Sequence, residues 1–307
     1  MQPTILAIFL DFPSTAFLMS AAGLALLVIG LLAAKKDIAQ ARGIDKVVAL
    51  TRLCVAIPLA VFGAEHISDG KSLLNAVPSY MPWHLFWVYF VGFALTAASL
   101  SIATKIQARW SGLLFAVMMF LFVAMLHIPG AVTAGGRIAW TIVFREMAFG
   151  GGGLVLAGIA MGCDGQGKRL INVGRVLIAI AAILFGVQHF LHPLGLPGVP
   201  LEKQMPTWIP ARAFIDYLTG AFLIVAGVCF LLARRTRIAA AYLGTCIVLL
   251  VVVIYGPVLI RALADPSAGV KVEGLNYFAD TLLFGGVILS LARANTPIPL
   301  HDPKTHS

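Results

Sequence analysis

The chain has 307 residues, of which 60% are hydrophobic and 11% charged, with a mean hydropathy of +0.95. So little polar surface cannot coat a water-soluble globule, which excludes a soluble enzyme of ordinary composition and leaves lipid as the main solvent. The formal net charge of +9 does not point to nucleic acid, because Lys and Arg stand at the ends of apolar runs and form no single basic face.

The first apolar run, 14–34, carries no charged residue and is long enough to cross a hydrocarbon core of about 30 Å. No Lys or Arg precedes it and Lys35 and Lys36 follow it, so it reads as a retained helix and not as a cleaved signal. Further runs at 47–66, 84–104, 110–128, 138–161, 173–191, 212–233, 238–260 and 275–292 bring the expected helices to about nine. With the N-terminus outside, 15 of the 22 basic residues fall in inner loops and 7 in outer ones. That asymmetry follows the positive-inside rule and predicts an integral protein, of a bacterial inner membrane, with its C-terminus in the cytoplasm. Cys54, Cys163, Cys229 and Cys246 are scattered, without the spacing of a zinc site or a disulfide framework, so no metal is expected.

An internal repeat orders these helices. Arg52 with Phe62-Gly63-Ala64-Glu65-His66 returns 123 positions later as Arg175 with Phe185-Gly186-Val187-Gln188-His189. After a five-residue insertion, Val77 to Pro82 returns as Met205 to Pro210, Tyr89 and Gly92 as Tyr217 and Gly220, Arg109 as Arg237, and Pro129 as Pro257. In the last helix, Glu146 is laid on Asp280. Four helices per copy is an even number, so both copies enter and leave on the same side. The expected fold is all-α and polytopic: a leading helix with a basic inner loop (1–46), two parallel four-helix units (47–163 and 164–293) and a polar tail (294–307) in which His301 and His306 are solvated. Pro82 and Pro210 are expected at the first turn of a helix, and Trp83, Trp87, Trp140 and Trp208 at the outer membrane boundary.

Ionisable side chains within such runs cost a few kcal/mol each and need a partner or a use. In the first copy these are His66, His127 and Glu146, the last preceded by Arg145. In the second they are His189, Asp216, Tyr255 and Asp280. All fall at similar depth on the outer side, so each unit is expected to hold an outward-facing polar pocket. A His beside a carboxylate can exchange hydrogen bonds and protons with a quinone oxygen, with Glu146 or Asp280 as proton acceptor. The same groups can instead satisfy one another between helices, at about 0.6–2 kcal/mol each. Two histidines from different helices could ligate haem, but only the first copy supplies an obvious pair, His66 with His127, while His189 and His192 of the second stand three residues apart, so haem is not expected. Arg52 and Arg175 suit snorkelling to lipid phosphate. The Gly150 to Gly153 run lies in an apolar helix and lacks the Lys of a phosphate loop, so it serves close packing.

The Gly-x-x-His closing the first helix of each unit, the Val-Pro-x-x-x-Pro linker, the basic turn between second and third helices and the Gly-Gly-rich last helix resemble the DoxX/DoxD-like membrane proteins, over about 50–160 and again 172–293. That resemblance implies a membrane partner in quinone-linked redox chemistry or a companion of thiol and oxidative-stress enzymes, acting with membrane or peripheral redox subunits. Its wider relatives look like assembly proteins, so catalysis by this chain alone is not implied. Three functions are therefore carried forward: a quinone-linked redox component, an assembly scaffold, and a small-solute transporter built on parallel repeats.

Overall fold

A computed structural model describes residues 14–295. Among them the regular structure is helical, in ten segments besides a 3-10 turn at Leu74–Ala76: α1 (Thr15–Gln40), the short α2 (Asp45–Ala49), α3 (Thr51–Ser68), α4 (His84–Thr104), α5 (Ala108–Ala134), α6 (Arg137–Ala160), α7 (Gly165–Leu191), α8 (Arg212–Leu231), α9 (Thr236–Leu263) and α10 (Ala268–Ala294). Eight are long and apolar enough to cross a bilayer. The ninth expected span, α3, is shorter and carries Arg52, Glu65 and His66. It packs between α1, α4 and α10, and its Glu65 finds a protein partner in Asn276 of α10. Several helices outrun the apolar segments that announce them: α1 continues through Lys35, Lys36 and Asp37, and α7 begins at Gly165. Hydropathy reports only the lipid-embedded part of a helix. The tail with His301, Lys304 and His306 lies outside the described residues.

Polar contacts fix the direction of each helix. Near the end of α1, Asp37 accepts from Lys105 at the end of α4 (3.2 Å) and from Arg293 at the end of α10 (2.8 Å). Asp45 accepts from Arg237 where α9 begins (2.8 Å). At the opposite face, Arg137 at the start of α6 donates to Gln188 near the end of α7 (3.2 Å), and Asn276 near the start of α10 donates to Glu65 near the end of α3 (2.9 Å). Thus α3 and α7 both run from the basic face to the far face, and the quartets α3–α6 and α7–α10 stand the same way up.

The two quartets interlock. Within each, the first and second helices pair, as do the third and fourth; between them, α6 packs along α7, α10 packs along α3, and α6 meets α10 at the centre. The first helix of each quartet therefore rests on the last helix of the other and hardly on that of its own. Local irregularities recur at one interval. Left-handed Trp83, Lys105 and Gln107 are answered 128 positions on by Ala211, Ala233 and Arg235. The π turns Val123–His127 in α5 and Val251–Tyr255 in α9 share that interval. Pro129 and Pro257 follow them by two residues, and a ring without an N–H opens a helical turn by displacing the carbonyl four residues back.

Pro82 and Pro210 differ from expectation. Each precedes a left-handed residue, Trp83 or Ala211, and only then does the helix begin. They fix the linker, and Pro82 O accepts the indole N–H of Trp87 (3.0 Å).

The glycines that let α6 and α7 touch have little tolerance: a Cβ on Gly174 would stand 2.2 Å from Gly151 O, whereas one on Gly130 would meet nothing within 4 Å. Gly174→Ala is expected to lower thermal stability by about 1–3 kcal/mol and Gly130→Ala by less than about 0.5 kcal/mol, compared by fluorescence-detected thermal unfolding in detergent.

Candidate functional site

The site begins with the small residues of α6 and α10, the most deeply buried of the eight candidate spans. Gly151 faces Gly174 and Leu177 of α7, Gly286 faces Cys54 of α3, and Gly152 lies beneath Val287 of α10. Leu177 and Cys54 are 123 positions apart, the interval of the repeat, so these contacts match Gly151 with Gly286 and Gly152 with Val287. Carried two turns toward the far face, the same register matches Arg145 with Asp280 and Thr141 with Asn276. Sequence alignment had paired Glu146 with Asp280. The packing moves that register by one residue, and insertions ahead of the last helix are what left it undetermined.

Arg145 and Asp280 thus face one another across the centre of the molecule. Arg145 Nη1 donates to Asp280 Oδ2 (2.7 Å), while Nη2 and Nε donate to Oε1 of the adjacent Glu146 (2.8 and 3.1 Å). Both carboxylates are buried. One guanidinium facing two carboxylates leaves a formal charge of −1, available to a proton, a cation or the hydroxyl of a ligand. Flanking the pair, Glu65 accepts from Asn276 on one side (2.9 Å), and Gln188 accepts from Thr141 on the other (2.9 Å). These bonds occupy matched positions of the two inter-quartet seams. Glu65, Gln188 and the shared role of Arg145 escape a reading that treats each helix alone; the Glu-His and Gln-His pairs of the repeat are the signal that could have found them.

The remaining candidates divide by quartet. In the second, His189 and Asp216 are 1% and 0% exposed, with Nδ1 and Oδ1 3.0 Å apart though without a well-directed hydrogen bond. The Gly198 N–H donates to His189 Nε2 (3.1 Å), and the Tyr255 hydroxyl donates to Pro197 O (2.9 Å). Both partners belong to the connection between α7 and α8, whose Leu196, Val199 and Met205 are buried and whose Gly195 bridges to Gln204. Gly198 has φ +110°, a conformation that favours glycine. The insertion found in the sequence is therefore a folded loop that occupies the polar end of the second quartet.

In the first quartet nothing equivalent happens. The linker holds exposed Tyr80 and Trp83. His66 is half-buried, with Nδ1 bonded to Phe62 O of its own helix (2.8 Å). His127 closes the α5 π turn, half-buried, within the fields of Glu146 and Arg145 and without a hydrogen bond among the described residues. Where Tyr255 lies beside Thr281, His127 lies within the field of Glu146, matched by the corrected register.

A cavity of about 370 Å³ opens at the far face between α6, α10 and the inserted loop. Arg145 and Asp280 line it, with Asn276, Tyr277, Glu202 and Glu273 among the polar walls and Ile138, Ile142, Leu201 and Val272 among the apolar ones. Of the predicted site residues Asp280 lines this cavity, Glu146 reaches it through Arg145, and His189, Asp216 and Tyr255 lie sealed elsewhere. Among the described residues no three His, Cys, Asp or Glu side chains converge as a metal site.

No protein-family model matches the chain, and no curated protein or solved structure shows significant similarity to it.

Two stability contrasts follow from this geometry. Arg145→Gln leaves two buried carboxylates without their cation and is expected to cost about 3–5 kcal/mol, whereas the exchange of Arg145→Asp with Asp280→Arg restores part of that loss, read as folded yield and melting temperature. His189→Ala, which strands Asp216 and the Gly198 amide, is expected to cost about 2–4 kcal/mol against less than about 1 kcal/mol for His66→Ala.

Proposed function

We propose that this protein is an integral membrane component of a redox system that binds the polar ring of a quinone-type ligand at the far-face cavity, with electron exchange left to a membrane or peripheral partner subunit. The observation that carries the reading is the Arg145–Asp280 pair: buried, bonded at 2.7 Å, yet lining a cavity with both polar and apolar walls. An amphiphilic ring needs that combination. A hydroquinone hydroxyl can donate to the Asp280 oxygen that Arg145 leaves free, Glu146 and Asp280 offer acceptors for released protons, and the remaining Arg145 N–H groups can donate to a quinone carbonyl. The resemblance to DoxX/DoxD-like proteins supplies the redox class. The recurring left-handed residues and π turns support a tandem duplication of one four-helix unit. The basic face is assigned to the cytoplasm of a bacterial inner membrane by the positive-inside rule, which puts the cavity outside.

A scaffold reading is favoured by the second quartet, where His189, Asp216 and Tyr255 are consumed in internal contacts. The two readings part on Asp280→Asn. Under ligand binding, the folded fraction of the variant, in which Arg145 still holds Glu146, loses about tenfold or more in affinity for a short-chain ubiquinone or menaquinone analogue titrated into nanodiscs. Unchanged affinity, or a loss of yield with no effect on binding in the folded fraction, would leave the scaffold reading.

A further inference from the structure

A second cavity, of about 440 Å³, lies on the lipid-facing side of the molecule, separate from the quinone proposal. Its floor is the crossing of α3 and α10, with Leu53, Ile57, Leu275 and Phe278 among its residues; one wall is α1 and the other α9. α1 belongs to neither quartet and packs along α3, with Gly23 against Val61 and Gly30 against Leu53. The opposite wall includes Val251 and Val252 of the α9 π turn. Along α1 the groove is lined from Ser14 to Leu31, about 25 Å at 1.5 Å per residue, most of the thickness of a hydrocarbon core of about 30 Å.

The two ends of this groove differ chemically. Lys271, in the first turn of α10, stands at the far-face end and forms no ion pair among the described residues, whereas nearby Lys203 is paired with Glu273 at 2.8 Å. The basic-face end is lined by Leu31, Leu50 and Leu53. An unpaired ammonium at the mouth of a long apolar trench, with its floor and both walls supplied by protein, selects for a molecule with one negative head and a long hydrocarbon tail. We propose that this groove is a lipid site: it holds one chain of an anionic lipid of the far-face leaflet along α1 and α9, with the headgroup phosphate on Lys271. The ammonium acts as a point charge toward the phosphate, and the tail is held by burial alone. The site also gives α1 a role that the quartets do not require, since α1 supplies the wall that turns an open helix face into a trench.

Native mass spectrometry of the purified full chain, with phosphatidylglycerol or phosphatidylcholine added in detergent, tests the proposal. The wild type should retain one phosphatidylglycerol in preference to phosphatidylcholine. Lys271→Glu should reduce that preference about five-fold, with Lys271→Arg restoring it. Leu27→Trp and Val252→Phe should block the trench and remove the adduct. Leu27 and Val252 are exposed to lipid at 37% and 63%, so these variants retain the fold, which size-exclusion chromatography checks. Equal retention of the two lipids by wild type, or an adduct indifferent to Lys271→Glu and to both filling variants, overturns the site. Retention of phosphatidylglycerol only after deletion of residues 1–13 would assign the trench to the chain's own N-terminal segment and overturn it equally.

Discussion

The structure turns on a single ion pair withdrawn into its interior. Arg145 and Asp280 sit on the two central helices and meet at 2.7 Å, with both side chains largely withdrawn from solvent. An isolated charge at such a place would cost several kcal/mol, so Asp280 needs Arg145, and Arg145 in turn needs a carboxylate. That mutual need sets how far α6 can slide or rotate against α10. Because α6 carries α7 and α10 carries α3, fixing the central pair fixes both quartets. Glu146 adds a second carboxylate to the same guanidinium, so the pair is strongly held yet formally short of positive charge.

Lipid supplies no hydrophobic force to press helices together, so the interlocking must come from close contact and from internal polar bonds. The glycines provide the first. Gly151 with Gly174, Gly112 with Gly153 and Gly186 with Gly220 bring backbones so near that a Cβ would meet a carbonyl oxygen. The seams provide the second: Glu65 with Asn276 and Gln188 with Thr141 join each first helix to the last helix of the other quartet. Neither quartet can therefore complete its own interior. This arrangement explains why α3, with Arg52, Glu65 and His66 in only 18 residues, is stable although its composition alone makes it the weakest span.

Much of this was legible in the residues, and what was not has identifiable causes. Hydropathy located the helices because desolvation of a long apolar segment dominates its free energy, but it missed their polar ends at Lys35 to Gln40 and Gly165 to Asn172, where the helix continues beyond lipid. The repeat matches His66 with His189, and both pack against a glycine of the second helix, Gly92 and Gly220. It slipped by one residue in the last helix, and that slip hid the pairing of Arg145 with Asp280. Pro129 and Pro257 were visible as matched prolines, yet their effect on the preceding turn depends on how the surrounding helices accommodate an extra residue. The inserted loop was visible only as five additional positions; that it folds inward, with Gly198 at φ +110° and Leu196 and Met205 buried, is a tertiary outcome.

The contrast between the quartets says more about function than their likeness does. A polar side chain at membrane depth must find its partner within the protein or in a ligand, because lipid offers none. The second quartet answers this in part with its own backbone: one peptide segment meets His189 through the Gly198 N–H and Tyr255 through the Pro197 carbonyl, while Asp216 has only the 3.0 Å approach of His189 Nδ1. The first quartet has a shorter linker that bonds to neither His66 nor His127, and it carries Glu146 where the second carries Thr281. His127 makes no hydrogen bond among the described residues, His66 bonds only within its own helix, and Arg145 holds two carboxylates at once. If duplication produced the two quartets, the loop of the second shows what this framework accepts, a neighbouring donor and acceptor. A ring bearing a carbonyl and a hydroxyl in the far-face cavity would offer that same pair of groups to Arg145 and Asp280.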